Sequence, residues 1–321
     1  MDRRLFLGAG ASLAGVTAFF PDGAAAQTAP SVSTARFLDR KVMAKMLKAT
    51  PRTAILAARV GAQTGHYAHA SSTIGAGGWT STLDIAGLGG GDLRAVADAA
   101  IEDLSIKLVG AGREIVPRAE VLAHPALADL ATLEQPAQKP WRYPGGGAAT
   151  DLQLLWASDS GGRLFFYHIE AWNPFAALQI KNWQRMNWLS KDLNAIVLVP
   201  TYVYTFGETY LEVQDVQING ATRNQGARAE VSGEMQLVDY PSSVWAFRGL
   251  IKIAGEMTDL KFKGPISLGM PGEFQAVGSS GTSARFAFRA DPARFRTAAF
   301  AGAQAMNSFT AGAFSQLASA G

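Results

Sequence analysis

Not one of the 321 residues is cysteine, so no disulfide can hold this fold and its stability has to come from a buried core. The opening of the chain makes that absence more informative. Met1-Asp2-Arg3-Arg4-Leu5-Phe6-Leu7 sets two arginines before an apolar run from Leu5 to Phe20 that Gly8, Gly10 and Gly15 interrupt. The run falls short of the roughly 18 to 20 apolar residues that a membrane-spanning helix needs, and Ala24-Ala25-Ala26 follows as a small-residue cleavage site. This is the layout of a signal peptide over residues 1–26, with cleavage near Ala26 and a periplasmic destination. The arginine pair before Leu-Phe-Leu resembles the twin-arginine class, which exports folded proteins; the general secretory route accepts the same residues. Exported chains are free to use disulfides, and this one, of about 295 mature residues, relies on its length instead.

Charge excludes one class of partner. Lys+Arg 29 stand against Asp+Glu 26, a net of +3, and the basic residues form no run of the kind that binds nucleic acid. No later stretch is apolar for long enough to cross a bilayer as a helix, and a chain without cysteine has no lipid-acceptor thiol near the cleavage site. A soluble mature protein is expected.

The pattern along the chain predicts an α+β fold. After a polar leader from Gln27, residues 37–48 place Phe37, Leu38, Val42, Met46 and Leu47 on one stripe of a short amphipathic helix that packs on the domain. Thr53 to Val60 reads as a strand, and Gly61 to Gly91, rich in Gly, Ser and Thr, as loop and exposed hairpin. Asp92 caps a helix whose buried face is Leu93, Val96, Ala97, Ala100, Ile101, Leu104 and Leu108, ended by Gly110 and Gly112. Arg113 to Pro117 adds a strand, which completes an N-terminal strand-helix-strand unit.

Beyond it a mainly antiparallel sheet with packed helices is expected. His124 to Leu130 is a helical turn, and 135–150 is a Pro- and Gly-rich connector at which a single domain over 51–321 would divide if it had two subdomains. Asp159-Ser160-Gly161-Gly162 turns a hairpin between strands at 152–156 and 163–169. Asn173 and Pro174 open a helix carrying Phe175, Leu178, Trp183, Met186 and Leu189. Strands follow at 195–206, 229–238 and 243–253, the last two facing each other across Asp239-Tyr240-Pro241-Ser242. Asp291-Pro292 opens a closing helix to about Leu317, with a small-sided stripe of Phe295, Ala299, Gly302, Met306 and Phe309.

No residue set carries a recognisable chemistry. His66 and His69 sit in a Gly- and Ser-rich segment with no third ligand nearby, so no metal and no cofactor is expected. The pentapeptide of a serine hydrolase and the phosphate loop with its Gly-Lys-Ser/Thr ending are both missing. Gly89-Gly90-Gly91-Asp92 at a helix start could hold an anion, though a flexible lead-in explains it as well. Carboxylates at Glu170, Glu208, Glu212, Asp215, Glu230, Glu234 and Asp239 lie on or near strands, and nothing selects two of them as catalytic. The feature that stands out is aromatic: Trp172, Phe175, Trp183 and Trp188 form a candidate binding surface, with helix packing as the plainer explanation.

Three segments together carry a partial resemblance: the strand Thr53 to Val60, the helix from Asp92 running into Gly112-Arg-Glu-Ile-Val-Pro-Arg118, and Leu237-Val238-Asp239 turning into Val244-Trp245-Ala246. In that order they resemble the CsgG-like group, bacterial envelope proteins related to the curli secretion channel. The resemblance implies an oligomeric envelope protein or assembly partner. The lipidated cysteine of the curli channel has no counterpart here, so an accessory role is implied in place of a channel. The expected function is therefore an exported, non-enzymatic binding or assembly-accessory protein whose partner is another envelope protein or a second copy. A periplasmic solute-binding protein and an exported hydrolase with paired carboxylates are the alternatives.

Overall fold

A computed structural model describes residues 4–9, 40–71, 78–128, 130, 139–142, 150–164, 176–218, 221–238, 242–248, 258–260, 265–280 and 282–319. The first half of the chain supplies β1 (Arg4–Ala9), α1 (Arg40–Ala49), β2 (Arg52–Ile55), β3 (Arg59–Ser71), β4 (Gly78–Ala86) and α2 (Gly90–Gly110). After β5 (Glu114–Ile115) and α3 (Arg118–Leu122) comes a 3-10 turn at Pro125–Leu127, then β6 (Lys139–Arg142), β7 (Thr150–Ser158) and α4 (Ala176–Asp192). The remaining elements are β8 (Ile196–Thr205), β9 (Glu208–Ile218), β10 (Ala221–Ser232), β11 (Gln236–Leu237), β12 (Ser243–Phe247), β13 (Thr258–Leu260) and β14 (Ile266–Ser267). Last come β15 (Gly272–Ser280), β16 (Ser283–Ala290) and α5 (Pro292–Ser319). Helices packed on a mixed, mostly antiparallel sheet make this an α+β fold.

The centre is β8, whose near-continuous apolar run is buried on both faces, as a strand covered by helices on two sides must be. β2 and β3 run parallel to it end to end on one edge, while β12 and β11 run antiparallel along the other. Between β2 and β3 the ladder breaks at residues 56–58. Pro200 of β8 lies opposite that break, on the same edge as the Leu198 carbonyl that takes the Leu56 N–H at 2.9 Å. A proline has no N–H to give, so a central strand tolerates it where its neighbour offers no ladder bond.

Side chains complete the break. The buried Asp159 carboxylate accepts the Ala58 N–H at 2.9 Å, and Arg118 links that carboxylate to the Ile55 and Leu56 carbonyls. Asp98 of α2 takes both the N–H and the hydroxyl of Ser160 at 2.7 Å. The Asp159-Ser160-Gly161-Gly162 turn is thus anchored from both sides of the sheet.

One face of the sheet carries α1, α2 and α5 on the main core, in which Tyr202, Tyr204, Phe286, Phe288, Phe295 and Phe314 are the bulky members. The α2 stripe is buried as expected, with Ile101 only partly covered. Asp291 caps α5, its carboxylate accepting from Ala293 and Arg294 at 2.9 and 3.0 Å, and the predicted α5 stripe is buried throughout. Tyr202 donates to Asn307 Oδ1 at 2.6 Å, and the Asn307 amide donates to the Ala100 carbonyl and Asp103, both at 2.9 Å, which joins β8, α5 and α2. Burial drives both the Tyr202 and Tyr204 phenols above their ordinary pKa, with the Asp103 charge adding to the effect at Tyr202. Arg113 fastens α1 to this layer: it donates to the Leu47 carbonyl at 2.9 Å, to Thr53 Oγ1 at 3.0 Å, and to the Thr50 carbonyl. Burial lowers its guanidinium to about 10, which leaves it a cation at neutral pH.

Three expectations need correction. Gly61 to Gly91 is mostly strand where loop was expected: β3, largely buried, and β4, buried at alternate residues, pair antiparallel as a hairpin would, with residues 72–77 outside the described set. A Cβ on Gly61 would lie 2.9 Å from the Trp156 ring, so the small residue is what admits the indole. Residues 229–238 and 243–253 do not pair across a turn; β11 and β12 both pair with β8, one after the other along it. The strand expected at 229–238 also ends at Ser232, because Gly233 passes so close to Phe206 and Gly207 that a Cβ would meet the Phe206 carbonyl oxygen at 2.2 Å.

Candidate functional site

The opposite face of the sheet is covered by α3, the 3-10 turn and α4. Met186 and Leu189 of α4, with Leu193 just past its end, pack against Ala54, Leu56, Val197 and Val199. That packing turns Trp188 outward, where it is 42% exposed. The Arg185 guanidinium lies over the indole at 5.3 Å, and His124 meets the ring edge-on at 6.3 Å with an interplanar angle of 87°. His124 is held from behind, since its Nδ1 accepts the Ala126 N–H at 3.1 Å and caps the 3-10 turn. Its Nε2 then carries the proton and faces Asp192 Oδ2 at 3.4 Å. The arrangement is an exposed indole backed by a cation and an imidazole, and Trp and Arg are residue types in which interface binding energy is concentrated. Of the other predicted residues, Trp183 lies on α4, its side chain outside the described set; Trp172 and Phe175 lie outside the described residues.

A second surface was not expected from sequence. β9 and β10 form a long antiparallel hairpin whose base is pinned to the main sheet where β8 parts from β3. Gln63, fully buried, accepts the Phe206 N–H at 2.7 Å and donates to the Gly207 carbonyl at 2.8 Å. His66 Nδ1 accepts the Thr209 N–H at 3.1 Å. Ala229 and Val231 of β10 are buried in the main core. The far edge of β10 pairs with β1, in register from Arg4↔Ser232 to Ala9↔Ala227. The signal was in the sequence: Asn219-Gly220 between alternating residues is a strong hairpin dipeptide.

The remaining candidates resolve structurally. His66 and His69 lie on a strand, not in a loop, with the first given to the hairpin base, and among the described residues no group of three metal-ligating side chains forms. At the start of α2 the Asp92 carboxylate accepts the Gly89 N–H at 3.0 Å and pairs with Arg296, so the chain's own anion occupies that helix end. Register sets Glu230 opposite Tyr210, Glu212 opposite Arg228 and Asp215 opposite Asn224. Glu234 accepts from Gln236 at 3.4 Å, while Glu170 and Asp239 lie outside the described residues.

Fold and surfaces together define an α+β protein with a helix-covered central strand, an outer helix that exposes Trp188, and a long β9–β10 hairpin. Among the described residues no helix is long and apolar enough to cross a membrane. Comparison with family models, with curated proteins and with solved structures finds no match.

Proposed function

We propose that this chain is an exported protein of the bacterial envelope, periplasmic once a leader over residues 1–26 is removed, with a binding or assembly-accessory role and no enzymatic one. The observation that carries this reading is the α4 face, where Trp188 stands exposed under Arg185 on a helix whose other side is committed to the core. An indole held in place on a rigid helix has little side-chain entropy left to lose on association, so it suits a contact with another envelope protein or a second copy. Kinship with the CsgG-like group belongs to the same reading. It is supported by β2 and β5 running parallel, with β3 and β4 as well as α2 between them in sequence.

Light scattering on the chain beginning at Gln27, alone and with periplasmic extract, tests it. A defined oligomer or a stoichiometric envelope partner is expected, and Trp188→Ala should weaken that association while costing less than about 1 kcal/mol of stability. A strict monomer indifferent to Trp188→Ala would contradict the reading. N-terminal sequencing of the exported chain should begin at Gln27, and a start at Met1 would remove the leader from it.

A further inference from the structure

We propose that the outer edge of β10 is a strand-acceptor site, that its occupant in the precursor is the chain's own Arg4–Ala9 segment, and that removal of the leader opens it. The second half rests on the leader reading above; the docking itself does not. β10 is bordered by β9 along its whole length, from Ala221 to Ser232, but by β1 only from Ala227 onward. The pairing with β1 runs through six consecutive residues without a slip. It stops at Ala227, where the register of β10 against β9 shifts between Asn224 and Ala227. A bulge twists a strand and ends regular pairing, so the acceptor has a built boundary.

Its other end is built too. The half of β10 that takes β1 holds the buried Ala229 and Val231, and the register sets Leu7 and Leu5 opposite them. The edge is therefore rigid where it accepts and adjoins core. For the apolar start of a leader, an edge strand supplies partners for every second N–H and C=O without a helix or a membrane. Loss of residues 1–26 leaves the backbone groups of Ala227 to Ser232 on that edge open, which is the condition under which a sheet recruits an extended peptide.

The native chain has no cysteine, so an engineered disulfide in the full precursor reports one contact only. Leu7→Cys with Ala229→Cys brings together residues that face each other across the strands, within the roughly 4.4 to 6.8 Å Cα span that a disulfide needs. Leu7→Cys with Val231→Cys is one diagonal away, at about 7 to 8 Å. Leu211→Cys with Ala229→Cys tests the β9–β10 pairing in the same way. The expected result, from intact mass and peptide mapping of purified precursor, is an intramolecular Leu7–Ala229 disulfide about tenfold more complete than the diagonal one. Absence of that preference while the Leu211–Ala229 disulfide forms would overturn the docking, and failure of both would overturn it by showing that β10 is no strand. For the second half, the chain beginning at Gln27 should bind a synthetic peptide of residues 2–12 saturably, and lack of binding would sink the opened edge. A secreted chain that keeps Met1 and still forms the Leu7–Ala229 disulfide would refute cleavage and leave the docking standing.

Discussion

β8 and β10 are both strands with neighbours on two edges, yet they are secured in different ways. β8 is buried on both faces, and its neighbours are drawn from distant parts of the chain, with α2 and α5 packed on one side and α4 on the other. β10 owes one edge to its hairpin partner and the other to β1, within the residues 1–26 proposed as a leader. Interior strands persist because side-chain packing and backbone pairing reinforce each other, whereas an edge lasts only as long as its occupant. The scaffold therefore lies in the β8 layer, and the proposed contact surfaces lie outside it, on the β10 edge and the α4 face.

Breaking the β8 layer should have the largest effect. Arg113→Met leaves the carbonyls of Leu47 and Thr50 without their donor, and a loss of about 3 kcal/mol is expected, read from the urea midpoint. Gly61→Ala forces a methyl against the Trp156 ring and should cost about 2 kcal/mol in the same assay. A loss below about 0.5 kcal/mol there would mean that the indole has room to move.

Alkaline titration sharpens the contrast. The Tyr202 and Tyr204 phenols are raised above their ordinary pKa, chiefly by burial. Above pH ~10 the unfolded chain therefore loses protons that the folded chain keeps. Stability from these groups is fully present below pH ~10 and declines as pH rises past it, by at most about 1.4 kcal/mol per pH unit for each tyrosine. Urea midpoints between pH 9 and 11.5 should show that slope, and Tyr202→Phe with Tyr204→Phe should flatten it. The smallest stability effect is expected on the α4 face, where Trp188→Ala should change the midpoint by less than about 1 kcal/mol, since it removes one exposed ring and its cation contact.

How much of this could be read in the sequence follows the same division. α2 and α5 were legible because apolar residues recur at three- and four-residue spacing; Asp291 caps α5 as expected, whereas the α2 cap is Gly89 and Asp92 sits inside the first turn. β8 was legible as a near-continuous apolar run, though not its two-sided pairing, because register depends on residues far away in sequence. β3 and β4 were obscured by their own packing. Gly61 and Gly65 signal loop locally, and only the placement of Trp156 and Gln153 shows why small residues suit them. At the candidate site, Trp188 was marked by its residue type, but Arg185 and His124 were missed, since His124 comes from a turn far from α4 in sequence. The β9–β10 hairpin was missed despite Asn219-Gly220, because polar residues on those strands dilute the alternation.

Hydrogen exchange on the precursor and on the chain beginning at Gln27, compared amide by amide, tests the contrast between β8 and β10 most directly. The expected result is equal, near-global protection of Val197 to Tyr204 in both forms, with every second amide from Ala227 to Ser232 losing protection when the first 26 residues are removed. Unchanged protection of β10 in the shorter chain, or loss spread evenly across β8 and β10, would contradict it.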